Sequence, residues 1–338
     1  MRLSGGTTPG TPGFEEGRWI TTEDVNIEHL LDVFTTIGGS AESIWDACAK
    51  FMAQLYWHKP RLVTLGPKIE ALPDNHPSKP QCLWDLSRLL HLVGNFVECE
   101  RLLRLALKLW RERGNGFKVG VELAKLSNAN REMGLYEEGI RQAAEASQIF
   151  ERIGDEVQQA ESLIPLAWSL CGDRQLDAAK EAASHAIDLL PENGEEFRVC
   201  RAHRALGDIY RFKDKTKKAI HHFEIARGIA TSLNMVEELF WVDDALAEMF
   251  SENGKFEEAQ THVEHAKPHA VNNPYFLARV THLQARVWYR QGMLGDAKSE
   301  ALCALDAFER LGAADDAERV RQLLHDIEAR RPGRPRRF

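Results

Sequence analysis

Three histidines fall within eight residues in THVEHAKPHA, residues 261–270. His262, His265 and His269 are three and four apart, so they share one face if the segment is helical. Two imidazoles at that spacing can chelate zinc or nickel. The zincin patterns HExxH and HxxEH are missing, however, and no cysteine stands alongside as a further ligand. The segment therefore reads as a solvated helix face, with no metal and no cofactor expected. His222 stands at the matching place in the preceding stretch of chain, which makes that face a candidate patch that titrates near neutral pH.

A second group of residues could do ionic chemistry. Arg201, Arg204, Asp208 and Arg211 recur at helical spacing, as do Arg279, His282, Arg286 and Arg290. Lys125, Asn128 and Arg131 form a shorter set, and Arg88 with His91 another. Such cations can hold a carboxylate through charge-assisted hydrogen bonds. Between the two long sets, Asp244 and Glu248 occupy matching places, so ion pairs between neighbouring helices are the competing use of the same arginines. Catalytic patterns are missing. The sequence has no GxSxG, no GxGxxG after a strand, and no cysteine with a histidine partner in a known local signature. A non-enzyme is expected.

The elements that must position these residues follow a 40-residue ruler. Cys99, Gly139, Ala179, Ala219, Ala259 and Ala297 mark one small position, spaced 40, 40, 40, 40 and 38. Seven residues on lie Ala106, Ala146, Ala186, Ala226, Ala266 and Ala304. Gly114, Gly154, Gly194 and Asn234 recur at turns, where a left-handed residue closes a helix. Each unit reads as two amphipathic helices joined by a short turn. One such hairpin cannot bury its apolar face alone, so neighbours must stack.

These marks resemble the tetratricopeptide repeat family. The fourth unit carries Leu206-Gly207, Tyr210, Ala219, Phe223 and Ala226, and the third adds Leu163, Leu166-Ala167, Leu170 and Pro191. The resemblance implies an all-α, right-handed superhelical solenoid of antiparallel helix pairs. It places six 38–40-residue repeats and a capping helix over 80–328. The family's usual unit is shorter, about 34 residues. The last helix is expected over Ala313 to Ala329. The family often binds peptides on its concave surface, which the first helices of the units line. Arg88, Lys125, Asn128, Arg131, Arg201, Arg204, Arg211, Arg279, His282, Arg286 and Arg290 are then the candidate partner-binding residues, forming a basic lane for an acidic protein or peptide. The Lys/Asn pattern of chaperone-binding members is not matched.

Residues 1–20 are Gly/Thr/Pro-rich and read as disordered. Residues 21–79 read as helices and a degenerate first repeat, closed by the loop PDNHPSKP at 73–80. This front segment, TTEDVNIEHLLDVFTTI and YWHKPRLVTLGPKIEALP, together with the array resembles the C-terminal repeat half of fungal nucleotide-binding receptor-like ATPases. That resemblance implies a sensor working beside an NTPase module. No GxxxxGK[ST] loop is present, so no ATP-driven step carries over.

The formal net charge is −8 over 338 residues. The tail ARRPGRPRRF, 329–338, reads as disordered and holds five arginines and no acid, so the rest is acidic and unsuited to coating nucleic acid. The tail alone offers a weak DNA contact or a nuclear-import patch. Six scattered cysteines and no apolar leader or span point to a reducing compartment, the cytoplasm, with no membrane contact.

Overall fold

The computed structural model describes residues 65–92, 94–271 and 273–330. The disorder expected over 1–20, residues 21–64 of the front segment expected over 21–79, and most of the tail lie outside the described residues. A short helix, α1 (Leu65–Glu70), precedes seven first helices and six second helices in strict alternation. The first helices are α2 (Lys79–Leu92), α4 (Gly116–Glu132), α6 (Glu156–Gly172), α8 (Glu196–Phe212), α10 (Val236–Glu252), α12 (Pro274–Gln291) and α14 (Ala314–Ala329). The second helices are α3 (Phe96–Glu112), α5 (Tyr136–Ile153), α7 (Leu176–Leu189), α9 (Thr216–Ser232), α11 (Phe256–Ala270) and α13 (Leu294–Leu311). Consecutive helices pack as antiparallel pairs, and the all-α solenoid is the observed architecture.

Local chemistry fixes the helix ends. Asn95, Asn115, Asp155 and Asn273 each accept a hydrogen bond from the backbone N–H three residues on, which satisfies one orphan donor at each start. Positive φ recurs at 94, 114, 134, 154, 174, 194, 214, 234 and 254, then at 292 and 312. One helix and its turn thus make up each step of this finer ruler, which is half the length of a repeat. The left-handed residue lets a short turn reverse the chain. Glycine fills most of these places, but Arg174, Asp214 and Asn234 do not.

The small residues of the ruler are where helices cross. Ala106, Ala146, Ala186, Ala226, Ala266 and Ala304 have no exposed surface, nor do Ala179, Ala219, Ala259 and Ala297. Large residues fill the spaces these leave. Phe150, Phe223 and Phe308 are fully buried on α5, α9 and α13. Gly207 and Phe223, two of the marks that carried the family resemblance, meet directly. A Cβ on Gly207 would stand 2.5 Å from the Phe223 ring.

The array curves until its ends touch. The turn before α3 packs on the far end of the chain, where a Cβ on Gly94 would meet the Tyr275 ring at 2.5 Å and Ala313 at 3.1 Å. The Phe96 ring lies edge-on to Tyr275 with centroids 6.1 Å apart, in the same buried cluster as Phe240, Phe276 and Ala313. Arg319 of α14 donates to the backbone carbonyl of Glu132 at the end of α4, 3.1 Å away and 187 residues earlier. Six hairpins and the last helix therefore close into a ring around a lumen.

Candidate functional site

Curvature places the first helices on the inside, and the lumen they line is about 950 Å³. All eleven residues marked in the sequence face it. Arg88 is exposed and lies over Trp84, 4.8 Å from the ring centre. Asn128 is buried and donates to the carbonyl of Ala124.

The other cations do not form a free basic lane, because acids on the adjacent first helices reach them. Glu161 of α6 takes Lys125 at 3.7 Å and Arg201 at 2.5 Å. Glu238 of α10 takes Arg204 at 2.8 Å and Arg201 at 3.8 Å. Glu248 is shared by Arg211 at 3.6 Å, Arg290 at 3.9 Å and, closest, Arg286. Arg279 bridges Asp244 at 3.3 Å and Asp316 at 3.5 Å. Arg131 pairs with its neighbour Glu132. Ten lysine or arginine residues and nine acids line the lumen, so its charge is close to balanced. The inter-helix ion pairs expected from Asp244 and Glu248 are present, and they extend over six first helices, from α4 to α14.

Burial would neutralise these acids if they were alone. For Glu248 burial pushes the pKa up, but Arg286, Arg211 and Arg290 outweigh it and hold it down to about 2. Glu132 is pushed up by burial in the same way and held at about 2 chiefly by Arg131. Asp244 goes the other way, raised by burial despite Arg279. The two histidines of the lumen are not cations. Burial pushes His91 down to about 4 and, with Arg286 and Arg279 beside it, His282 down to about 3. His282 therefore contributes a neutral imidazole, which corrects its inclusion in a basic set.

Sequence reasoning missed the aromatic half of the site. Arg131 lies 5.3 Å and Arg204 4.3 Å from the Trp168 ring centre, and Arg204 is also 5.8 Å from that of Trp241. Arg279 stacks on Trp241 from the next helix at 4.6 Å. Guanidinium and indole thus alternate as Arg131, Trp168, Arg204, Trp241 and Arg279 along the lumen. Trp168 and Trp241 are indistinguishable from core residues in the sequence; only their place beside the arginine sets hinted at this use.

The opening histidines are also placed differently from expectation. His269 and His265 sit on the outer part of α11, but His262 turns inward and meets Asp243 of α10 at 2.8 Å. His222 stacks on Tyr210 and faces His203, and burial, with His203, His221 and Lys218 nearby, lowers its pKa to about 4. His222 therefore does not belong to the neutral-pH patch expected of this face.

No family model and no curated protein matches this sequence. Solved structures do. A Rap protein complexed with competence and sporulation factor superposes with a TM-score of 0.60 at 12% identity, covering 93% of each chain. Aspartyl phosphate phosphatase F from Bacillus subtilis gives 0.52 at 10% identity, covering 96% of each. The apo form of the quorum sensor NprR from B. thuringiensis gives 0.51 at 13% identity, over 93% of this chain and 97% of that one. The fold is a tetratricopeptide-type solenoid. At these identities the likeness shows the fold alone. No described helix of the solenoid is long and apolar enough to cross a membrane.

Proposed function

We propose that this solenoid is a non-catalytic binding module that takes an extended peptide segment with acidic groups into its lumen. The observation that carries the reading is the arginine–tryptophan ladder, which presents stacking faces and guanidinium forks over several repeats. Tryptophan and arginine are the residues that most often dominate binding energy. An incoming carboxylate would exchange for the internal acids, so binding selects sequences whose charges match the ladder's spacing. The Rap structure, which holds competence and sporulation factor, supports a solenoid of this curvature as a ligand holder. Reading the array as the sensor of a nucleotide-driven receptor rests on the front segment together with the array, and residues 21–64 of that segment lie outside the described ones.

The test is selection of a random displayed peptide library on the purified full chain, followed by titration of the selected peptides through tryptophan fluorescence. Acid-containing peptides are expected, with affinity falling at least about tenfold in Trp168→Ala and in Arg131→Glu, a loss of about 1.4 kcal/mol or more. Selected peptides that bind both folded variants as tightly as the parent would overturn the lumen assignment.

A further inference from the structure

On the far side of α10 from the lumen, Asp243 faces α11 with only 1% of its side chain exposed. Its Oδ1 is 2.8 Å from Nδ1 of His262 and 3.8 Å from Nδ1 of His265. One ligand atom from each of the three residues lies within 4.8 Å of the other two. The His262 ring is stacked on Phe250, 5.4 Å between centroids and 8° from parallel, which fixes where its nitrogen points. Two imidazoles and a carboxylate converging on one point are the donor set of three-ligand zinc sites, in which water takes the fourth position.

A cation already stands at this point. Arg227 reaches over from α9, with Nη2 3.0 Å from Nδ1 of His265 and 3.8 Å from Oδ1 of Asp243. A guanidinium can only donate, so Nδ1 of His265 accepts and carries its lone pair into the site. His262 donates Nδ1–H to Asp243, and moving that proton to Nε2 frees a second lone pair. Arg227 is about one-third exposed and can swing into solvent.

The preceding repeat supplies a built-in comparison. At the matching places there, His203 replaces Asp243, Tyr210 replaces Phe250, His222 keeps the place of His262, and Ile225 replaces His265. The ring still stacks, at 5.2 Å on Tyr210, and Nδ1 still meets its partner, here Nδ1 of His203 at 3.0 Å. That slot has the same architecture but neither the carboxylate nor the third ligand.

We propose that Asp243, His262 and His265 bind a divalent transition metal of the zinc class, with Arg227 as the resident cation that the metal displaces. Borderline ions suit the mixed nitrogen and oxygen donors. Bound there, the ion would tie α10 to α11 and release α9, a structural role separate from the lumen.

The test is titration of untagged full-length protein with Zn²⁺ by calorimetry and with Co²⁺ by visible absorption. One ion per chain is expected at micromolar affinity, with Co²⁺ giving the intense bands of a low-coordinate site. His265→Ala, at an exposed position that folding does not need, should weaken binding at least about tenfold, since even outer partners of metal ligands are worth 10–100-fold. Asp243→Asn should do the same. Arg227→Ala should bind more tightly, and His203→Ala as the parent does. Absence of one-to-one binding below millimolar metal would overturn the proposal. So would binding that survives both His265→Ala and Asp243→Asn, or that disappears in His203→Ala. Weaker binding by Arg227→Ala would overturn the displacement.

Discussion

His282 sits between the guanidiniums of Arg279 and Arg286, and its low pKa has a consequence for stability. Its folded pKa, about 3, lies far below the ordinary value of 6.5. The unfolded chain therefore binds the proton more readily, and the stability tied to the neutral ring is complete above pH 6.5 and lost as pH falls towards 3. Glu248, held at about 2 from an ordinary 4.5, adds a second loss in the same direction between pH 4.5 and 2. Urea unfolding should show the protein about 1–2 kcal/mol less stable at pH 5 than at pH 7.5 on account of His282 alone. His282→Gln should flatten that part of the profile, and an unchanged slope would contradict the burial of the neutral ring. The sequence showed the position of His282 but not its charge, because its burial is set by helices that pack against α12 from other repeats. The same holds for His262. Its spacing to His265 was legible, whereas Asp243 is adjacent only once α10 and α11 have packed.

At the scale of the helix, the sequence was most informative where a small residue is obligatory. The alanine positions are legible because helix axes cross there and no larger side chain fits. The regular spacing of left-handed turns was only half visible: glycine and Asn234 announce a left-handed residue, but Arg174 and Asp214 hide it behind side chains that do not. Those residues mark turns where substitution should stabilise. Asp214, at φ 54°, is held in a conformation that glycine adopts freely, so Asp214→Gly should raise stability by about 1 kcal/mol. Gly207→Ala should act in the opposite sense. Its new Cβ would overlap the fully buried Phe223 ring, costing about 1–3 kcal/mol. Thermal unfolding of the two variants distinguishes them by sign. Equal melting temperatures would mean that the α8–α9 contact and the α8 turn are looser than described.

At the scale of the molecule, closure of the array decides what the lumen is. An open solenoid would offer a groove, whereas contact of Gly94 and Phe96 with Tyr275 and Ala313 brings the ends together around the lumen. Phe96→Ala removes the ring at the seam and should cost about 3 kcal/mol or more at that contact. Because each repeat contacts mainly its neighbours, the hairpins should survive an open seam. Small-angle scattering should then show a larger radius of gyration with unchanged helical content by circular dichroism. An unchanged radius would mean that the hydrogen bond from Arg319 to the Glu132 carbonyl holds the ring without Phe96.

The sequence by itself determined the repeat, its register, the helix pairing and the identity of the inward-facing arginines. Each of these follows from interactions between residues close in the chain or repeated at a fixed period, so periodicity encodes them. Only the tertiary structure decided that the arginines are matched by acids, that Trp168 and Trp241 stand between them, that His262 meets Asp243, and that the ends of the array touch. These depend on the small rotation from one hairpin to the next, summed over six hairpins. That rotation is set by side-chain packing at every interface, and no single stretch of sequence records it.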